Sequence, residues 1–265
     1  MPEAAEVEVV HRQLVDLLPG KTIDRVWTDG VSRRIAHRDV PAAAGATVTS
    51  ISRHGKYLTI HLAGSRHDRL HLHLGMTGTL RTDLDRCRHV RARLVLSGEL
   101  QLVYNDPRRF GQLTVQTPAT LLRAGPDVCD PTLAPGQLVA AATSMAGSVA
   151  TAVTSQRLVA GPGRYVTTEA LWRARIHPDI PVAALDLERW CALLPALRAV
   201  IRAAVAVGGN TFSDFVDVSG RPGRYQHQLV VYGRAGQPCQ RCRTQLVTTD
   251  ASRVVHCPQC QPQCG

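Results

Sequence analysis

The tightest constraint on this chain is the spacing of four cysteines near its end. Cys239-Gln-Arg-Cys242 and Cys257-Pro-Gln-Cys260 form two CxxC pairs separated by 14 residues. Each pair makes one knuckle, and the interval has the length of a β-hairpin. Four thiolates are thereby gathered around one tetrahedral position that suits Zn²⁺. The competing reading is two disulfides, which requires an oxidising compartment. The first eight residues carry Glu3, Glu6 and Glu8 and lack the basic start and apolar run of a secretory signal, so a reducing, cytoplasmic setting is expected. A ribbon this small draws its folding energy largely from the metal. Cys87, Cys129 and Cys191 read as small buried hydrophobes, and Cys264 as a spare thiol.

Composition narrows the rest. The 265 residues carry 31 Lys+Arg against 21 Asp+Glu, a net charge of +10. That length allows one large domain or a few small ones, each with a real core. With 44% hydrophobic residues, collagen-like and wholly disordered chains are excluded. No apolar run reaches about 18 residues, so no membrane-spanning helix is expected. The uncharged stretch from Gly136 to Gln156 is too rich in Ala, Ser, Thr and Gly to serve as one. The positive surplus points to a polyanion, either nucleic acid or an anionic membrane surface, with a solvated basic surface as the plain alternative. The cations are 29 Arg and two Lys, Lys21 and Lys56. Arg suits phosphate and guanine edges. A lysine in such a chain is a candidate for a role that needs a primary amine.

The pattern along the chain is α+β and multidomain, in three zones: 1–117, 118–225 and 226–265. Residues 6–18 place Val7, Val10, Leu14 and Leu17 on one helical face, and Pro19-Gly20 ends the run. Glu3, Glu6 and Glu8 lie near its positive end. KYLTIHL (56–62), RLHLHL (69–74), RARLVLS (91–97), ELQLVYN (99–105) and FGQLTV (110–115) alternate with period two between turn residues. They predict an antiparallel sandwich or barrel of roughly eight strands. After Pro118 the pattern turns helical. The spacing predicts a helix over 187–206, ended by Gly208-Gly209 and kinked or restarted at Pro195. A basic, hairpin-like segment leads into the ribbon.

Three groups of residues carry chemistry. Removal of Met1 from before Pro2 exposes a prolyl secondary amine. An α-amine titrates at about 8 against about 10.4 for Lys, which makes it a competent nucleophile toward an aldehyde-level carbon. Glu3 beside it is placed to relay protons. Against this stands an ordinary tether, since many chains begin Met-Pro. Lys56 opens a strand after the Gly55 turn; a strand-end charge is its ordinary reading. Leu74-Gly-Met-Thr-Gly78 and Asn105-Asp-Pro-Arg-Arg-Phe-Gly111 read as tight loops presenting Met76 and, on the second loop, Arg108, Arg109 and Phe110. An apolar wedge beside a guanidinium is suited to prying a base step apart, and core packing is the alternative for Met76 and Phe110.

Taken together, these residues resemble the formamidopyrimidine-DNA glycosylase and endonuclease VIII family, nearer the former branch, over the whole length. The resemblance runs in order through Pro2-Glu3, Glu6-Val7-Glu8, Gly55-Lys56-Tyr57, HLGMTG (73–78), NDPRRFG (105–111) and GPD (125–127). It continues through VAGPGRYVTTEAL (159–171), ARIHP (174–178), GGNTFSDFV (208–216), GRYQHQLVVYGRAGQPCQRC (223–242) and CPQCQ (257–261). It implies an N-terminal two-sheet β-sandwich, a helix-two-turn-helix DNA-binding domain and a zinc finger, with damaged duplex DNA as partner to a monomer. Its chemistry is base excision by a flipped-nucleotide mechanism. Carried over, Pro2 attacks C1′ and forms an imine, Glu3 is the general acid/base, and Lys56 contacts phosphate near the lesion. Met76, Arg108 and Phe110 fill the vacated stack, with Arg108 facing the orphaned base. Arg164 and Arg253 grip phosphate, and Cys239, Cys242, Cys257 and Cys260 hold one structural Zn²⁺.

The chain departs from the family pattern in four places. Gly161-Pro-Gly-Arg164 stands where the family has Gly-x-Gly-Asn. The interval between the CxxC pairs is short, with Arg253 one position nearer Cys257. Residues 136–156 lack a basic residue, and the start is PEAAEVE without a second proline. The implied function is a bifunctional glycosylase and AP lyase for 8-oxoguanine and formamidopyrimidine. The alternatives are a specialised member for oxidised pyrimidines or bulky alkylated purines, a non-catalytic DNA-binding zinc protein, and an RNA-binding zinc-ribbon protein.

Overall fold

The computed structural model describes residues 1–30 and 39–263. Cys264 lies outside them. The chain divides into two compact units, one of Met1–Leu122 with Ala204–Gln226, the other of Arg123–Ala203 with His227–Gly265.

The first unit begins with helix α1 (Ala4–Leu17), whose Val7, Val10 and Leu14 are fully buried. Eight strands follow: β1 (Ile23–Thr28), β2 (Thr47–His54), β3 (Tyr57–Ala63), β4 (Arg69–His73), β5 (Thr79–Arg81), β6 (Val90–Leu96), β7 (Leu100–Asn105) and β8 (Gln112–Thr114). They form two antiparallel four-stranded sheets, ordered β1-β6-β7-β5 and β2-β3-β4-β8. Period-two alternation produces the core. In β3, Leu58, Ile60 and Leu62 turn inward while Tyr57, Thr59 and His61 face outward. Inward residues of both sheets join those of α1 in one cluster, which also takes in Phe215 and Val218 from far down the chain. A four-residue helix, α2 (Ala119–Leu122), closes the first segment.

The second unit holds α3 (Pro135–Ala142), α4 (Val149–Thr154), α5 (Arg164–Ala174) and most of α6 (Leu187–Ala206). Helix α6 continues through Pro195 without a restart. Losing one N–H bond there is offset by burial of Leu193, Leu194 and Leu197. Beyond Ala206 the chain turns at Gly208 and Gly209, whose N–H groups bond back to Val205 and Ala204. The α6 side chain Arg198 donates to the carbonyls of Val128, Asp130 and Leu133. The hairpin β9 (Val247–Thr248) and β10 (Val255–His256) lies between the two CxxC pairs. The burial expected of the scattered cysteines does not hold: Cys87 and Cys129 are half-buried and Cys191 is exposed. Cys191 lies on the outward face of α6 rather than with its leucines. Among the described residues no helix is long and apolar enough to cross a membrane.

Candidate functional site

The N-terminus of α1 gathers an acid–base group. Glu3 is the N-cap residue, and its backbone N–H donates to Glu6 Oε2 at 2.7 Å. Glu6 Oε1 accepts the N–H of Asn210 at 2.8 Å. Both glutamates are buried, and Pro2 is buried beside them, still joined to Met1. Lys56 enters from the hairpin joining β2 and β3, a two-residue turn in which His54 pairs with Tyr57. Gly55 sits at the first turn position with φ +59°, as such a turn requires. The Lys56 side chain is buried. Desolvation pulls its amine below the ordinary lysine range, and the charges of Glu3 and Glu6 partly hold it up.

His73, at the end of β4, stacks on Tyr57 with ring centroids 4.7 Å apart. Its Nδ1 accepts the N–H of Gly75 at 3.1 Å. Burial and the nearby Lys56 charge push its pKa down to about 4, so the ring is neutral and carries its hydrogen on Nε2.

Asp106 organises the two loops of the wedge. This fully buried carboxylate accepts from Thr77 Oγ1 at 2.6 Å, the Arg108 N–H at 3.3 Å and the Gly111 N–H at 2.8 Å. Gly75 turns with φ +67°, and a β-carbon there would strike the backbone of Phe110 and Gly111. The loops therefore touch backbone to backbone. Their tips stay in solvent: Met76 is 41% and Phe110 38% exposed. The Arg108 guanidinium lies 4.8 Å from the Phe110 ring centroid. Arg109 points elsewhere, to Asp29 at 2.6 Å.

In the second unit, the Sγ atoms of Cys239, Cys242, Cys257 and Cys260 all lie within 4.8 Å of one another. Three of the separations are 3.4, 3.5 and 4.0 Å. A tetrahedron with Zn–S bonds of about 2.3 Å has edges of roughly 3.8 Å. The four thiols are free rather than paired as disulfides. Arg241, inside the first knuckle, lies over the Trp172 ring at 3.7 Å and donates to the Trp172 carbonyl. Buried Glu169 accepts the N–H groups of Val230, Val231 and Tyr232. These contacts tie α5 to the segment that carries the four cysteines. At the start of α5, Arg164 Nη2 donates to the carbonyl of Arg253, near the tip of the β9–β10 hairpin, at 3.2 Å. Arg253 has a left-handed backbone, φ +57°.

Thus buried Lys56 lies within the electrostatic reach of Glu3 and Glu6; Asp106 and the Gly75 contact join the loops that carry Met76, Arg108 and Phe110; Arg164 meets Arg253; and the four cysteines converge. Sequence reasoning gave no chemical role to Glu6, His73, Asp106 or Asn210. The spacing Glu3-x-x-Glu6 is a capping-box signal that could have singled out Glu6. The other three each make at least one contact distant in sequence: His73 with Tyr57, Asp106 with Thr77, and Asn210 with Glu6.

Known proteins resemble this chain over almost its whole length. Residues 1–113 match the formamidopyrimidine-DNA glycosylase N-terminal domain, and residues 124–216 match the formamidopyrimidine-DNA glycosylase H2TH domain. A formamidopyrimidine-DNA glycosylase of Deinococcus radiodurans is 37% identical over 281 residues, covering 99% of this chain and 98% of that one. The Thermus thermophilus enzyme of the same name is 37% identical over 271 residues, with 98% of each chain covered. The crystal structure of the MutM (Fpg) protein from Thermus thermophilus superposes with a TM-score of 0.86 at 35% identity, covering 100% of both chains. The Lactococcus lactis Fpg in complex with an abasic site containing DNA gives 0.85 at 26% identity, covering 99% of this chain and 100% of that one. The chain belongs to the formamidopyrimidine-DNA glycosylase family.

Proposed function

We propose that this chain is a bifunctional DNA glycosylase and AP lyase that excises oxidised or ring-opened purines, 8-oxoguanine and formamidopyrimidine, from duplex DNA. The observation that carries the reading is the burial of Glu3, next to Pro2 at the start of α1, together with a buried Lys56 amine that feels the charges of Glu3 and Glu6.

Once Met1 is removed, the Pro2 nitrogen becomes a secondary amine at the positive end of a helix. An α-amine is a competent nucleophile because far more of it is unprotonated at neutral pH than of a lysine. The lone pair forms a bond to C1′ of a flipped nucleotide as the glycosidic bond breaks, its electrons leave with the base, and the proton lost from the amine ends on the expelled base. Glu3 delivers the proton that the sugar ring oxygen takes up as the ring opens and the nitrogen lone pair forms the cationic iminium at C1′. Loss of a C2′ proton then expels the 3′ phosphate, a second elimination expels the 5′ phosphate, and water releases the amine. Lys56 places a cation by the phosphate next to the lesion. Met76, Arg108 and Phe110 occupy the vacated stack, Arg108 toward the orphaned base.

In this reading residues 1–117 form the catalytic domain, 118–225 the helix-two-turn-helix DNA-binding domain and 226–265 the finger. Arg164 and Arg253 grip phosphate. The four cysteines hold one structural Zn²⁺, which when bound fixes the hairpin that carries Arg253. The protein acts as a cytoplasmic monomer. Borohydride reduction with an abasic-site duplex tests the chemistry: a covalent adduct at Pro2 is the expected product. A correctly processed N-terminus that yields no adduct would leave only a DNA-binding protein. A panel of duplexes with single defined lesions, scored for strand cleavage, tests the substrate class.

A further inference from the structure

Arg53 lies at the end of β2, two residues before the Gly55-Lys56 turn, and the chemistry above gives it no task. Its side chain is only 8% exposed. Nε donates to Glu8 Oε2 on α1 at 2.9 Å, and Nη1 donates to the carbonyl of Gly55 at 2.9 Å. We propose that Arg53 is a positioning residue for Lys56, a strut anchored on α1 that sets where the Gly55-Lys56 turn places its amine relative to Glu3 and Glu6. The proposal rests on the catalytic reading only for its effect on rate.

Three features favour a strut over an ordinary ion pair. The first is what the second nitrogen holds. The Gly55 carbonyl belongs to the peptide group that leads into Lys56, so fixing that oxygen fixes the plane of the peptide and the direction in which the Lys56 side chain departs. The second is the anchor. Glu8 lies on the same helix as Glu3 and Glu6, so the strut registers the turn against the rigid element that carries both acids. The third is redundancy at the anchor. Glu8 also takes Arg12 Nε at 2.8 Å and lies 3.5 Å from His11 Nδ1. Burial opposes its charge, but hydrogen bonds from His11, Arg12 and Arg53 hold its pKa at about 2. The anchor therefore stays ionised across the working range. A planar guanidinium can serve a carboxylate and a carbonyl at once in fixed geometry, which a lysine at 53 would not reproduce.

The chain has only two lysines, Lys21 and Lys56, so lysine-selective ¹³C labelling of the full-length protein gives two titrating signals. In Arg53→Met the turn relaxes, the amine gains solvent, and the Lys56 midpoint rises toward the ordinary lysine range. Single-turnover excision slows about 10–100-fold, a cost typical of small misplacement, while affinity for lesion duplex changes by no more than about threefold. Arg12→Ala, which removes the exposed partner of Glu8, leaves both readings as in the wild type. Arg53→Lys keeps a cation for Glu8 and loses the second contact, so it too slows excision. It also decides the matter if Arg53→Met does not fold, because a wild-type rate in Arg53→Lys overturns the strut. An unmoved Lys56 midpoint in folded Arg53→Met overturns it as well. If the wild-type protein excises nothing, the catalytic reading fails by itself, and the Lys56 titration still decides the role of Arg53.

Discussion

At the scale of single residues, substitutions at the proposed N-terminal cluster and at the wedge should separate chemistry from binding. Glu3→Gln keeps the size and most hydrogen bonds of the side chain but cannot exchange a proton. It should abolish base release while leaving lesion-duplex affinity within about threefold, read by gel shift alongside strand scission. Phe110→Ala acts the other way. A base stacked on an aromatic ring is worth about 1–3 kcal/mol, so affinity for lesion DNA should fall by roughly one to two orders of magnitude. Glu8 gives a pH prediction. Its carboxyl is held near about 2, below the ordinary value of 4.5, by His11, Arg12 and Arg53 against the opposing effect of burial. Below its ordinary pKa the unfolded chain binds the proton that the folded chain refuses. The stabilisation is therefore complete above about pH 4.5 and is lost as pH falls toward 2. Allowing for solvent screening, urea melts should show Glu8→Gln less stable by about 1–2 kcal/mol at pH 7, with the gap narrowing below about pH 4.5 and closing only as pH falls toward 2.

At the scale of elements, legibility in the sequence follows how local the determinants are. The strands KYLTIHL and RLHLHL were readable because each alternates cleanly against one core, and β3 and β4 fall within a residue of the expected ranges. IDRVWT in β1 was not, because only Ile23 is buried and a register shift between Ile23 and Arg25 breaks the alternation. TVTSISRH in β2 hides its pattern under polar residues for the same reason. The wedge residues were legible as loop tips. The buried carboxylate that joins the loops was not, since Asp106 collects Thr77 across a long sequence separation. The backbone contact at Gly75 makes the pairing of the loops sensitive to one methyl group. Gly75→Ala combines an unfavourable φ with a clash against Phe110 and Gly111, and should lose about 2 kcal/mol or more in chemical denaturation.

For the whole molecule, net charge and metal set the conditions of use. A phosphate-dominated interface on a chain of net charge +10 should weaken steeply with salt, each neutralised phosphate adding about 0.9 to the log–log slope. Arg253→Ala should reduce that slope by about one without changing lesion preference. Removing metal with a chelator should melt the segment around Cys239 to Cys260, detected as lost amide protection in β9 and β10 and four newly reactive thiols. Protection in the two sheets should survive. The chain order of the units carries a consequence for synthesis. Phe215 and Val218 belong to the same core as the sheets, yet more than 80 residues assigned to the other unit are translated before them. On the ribosome the sandwich must wait, partly unsealed, until those two side chains emerge. Nascent chains arrested before Phe215 should accordingly be cut by protease within the sheets, whereas chains released after Val218 should resist.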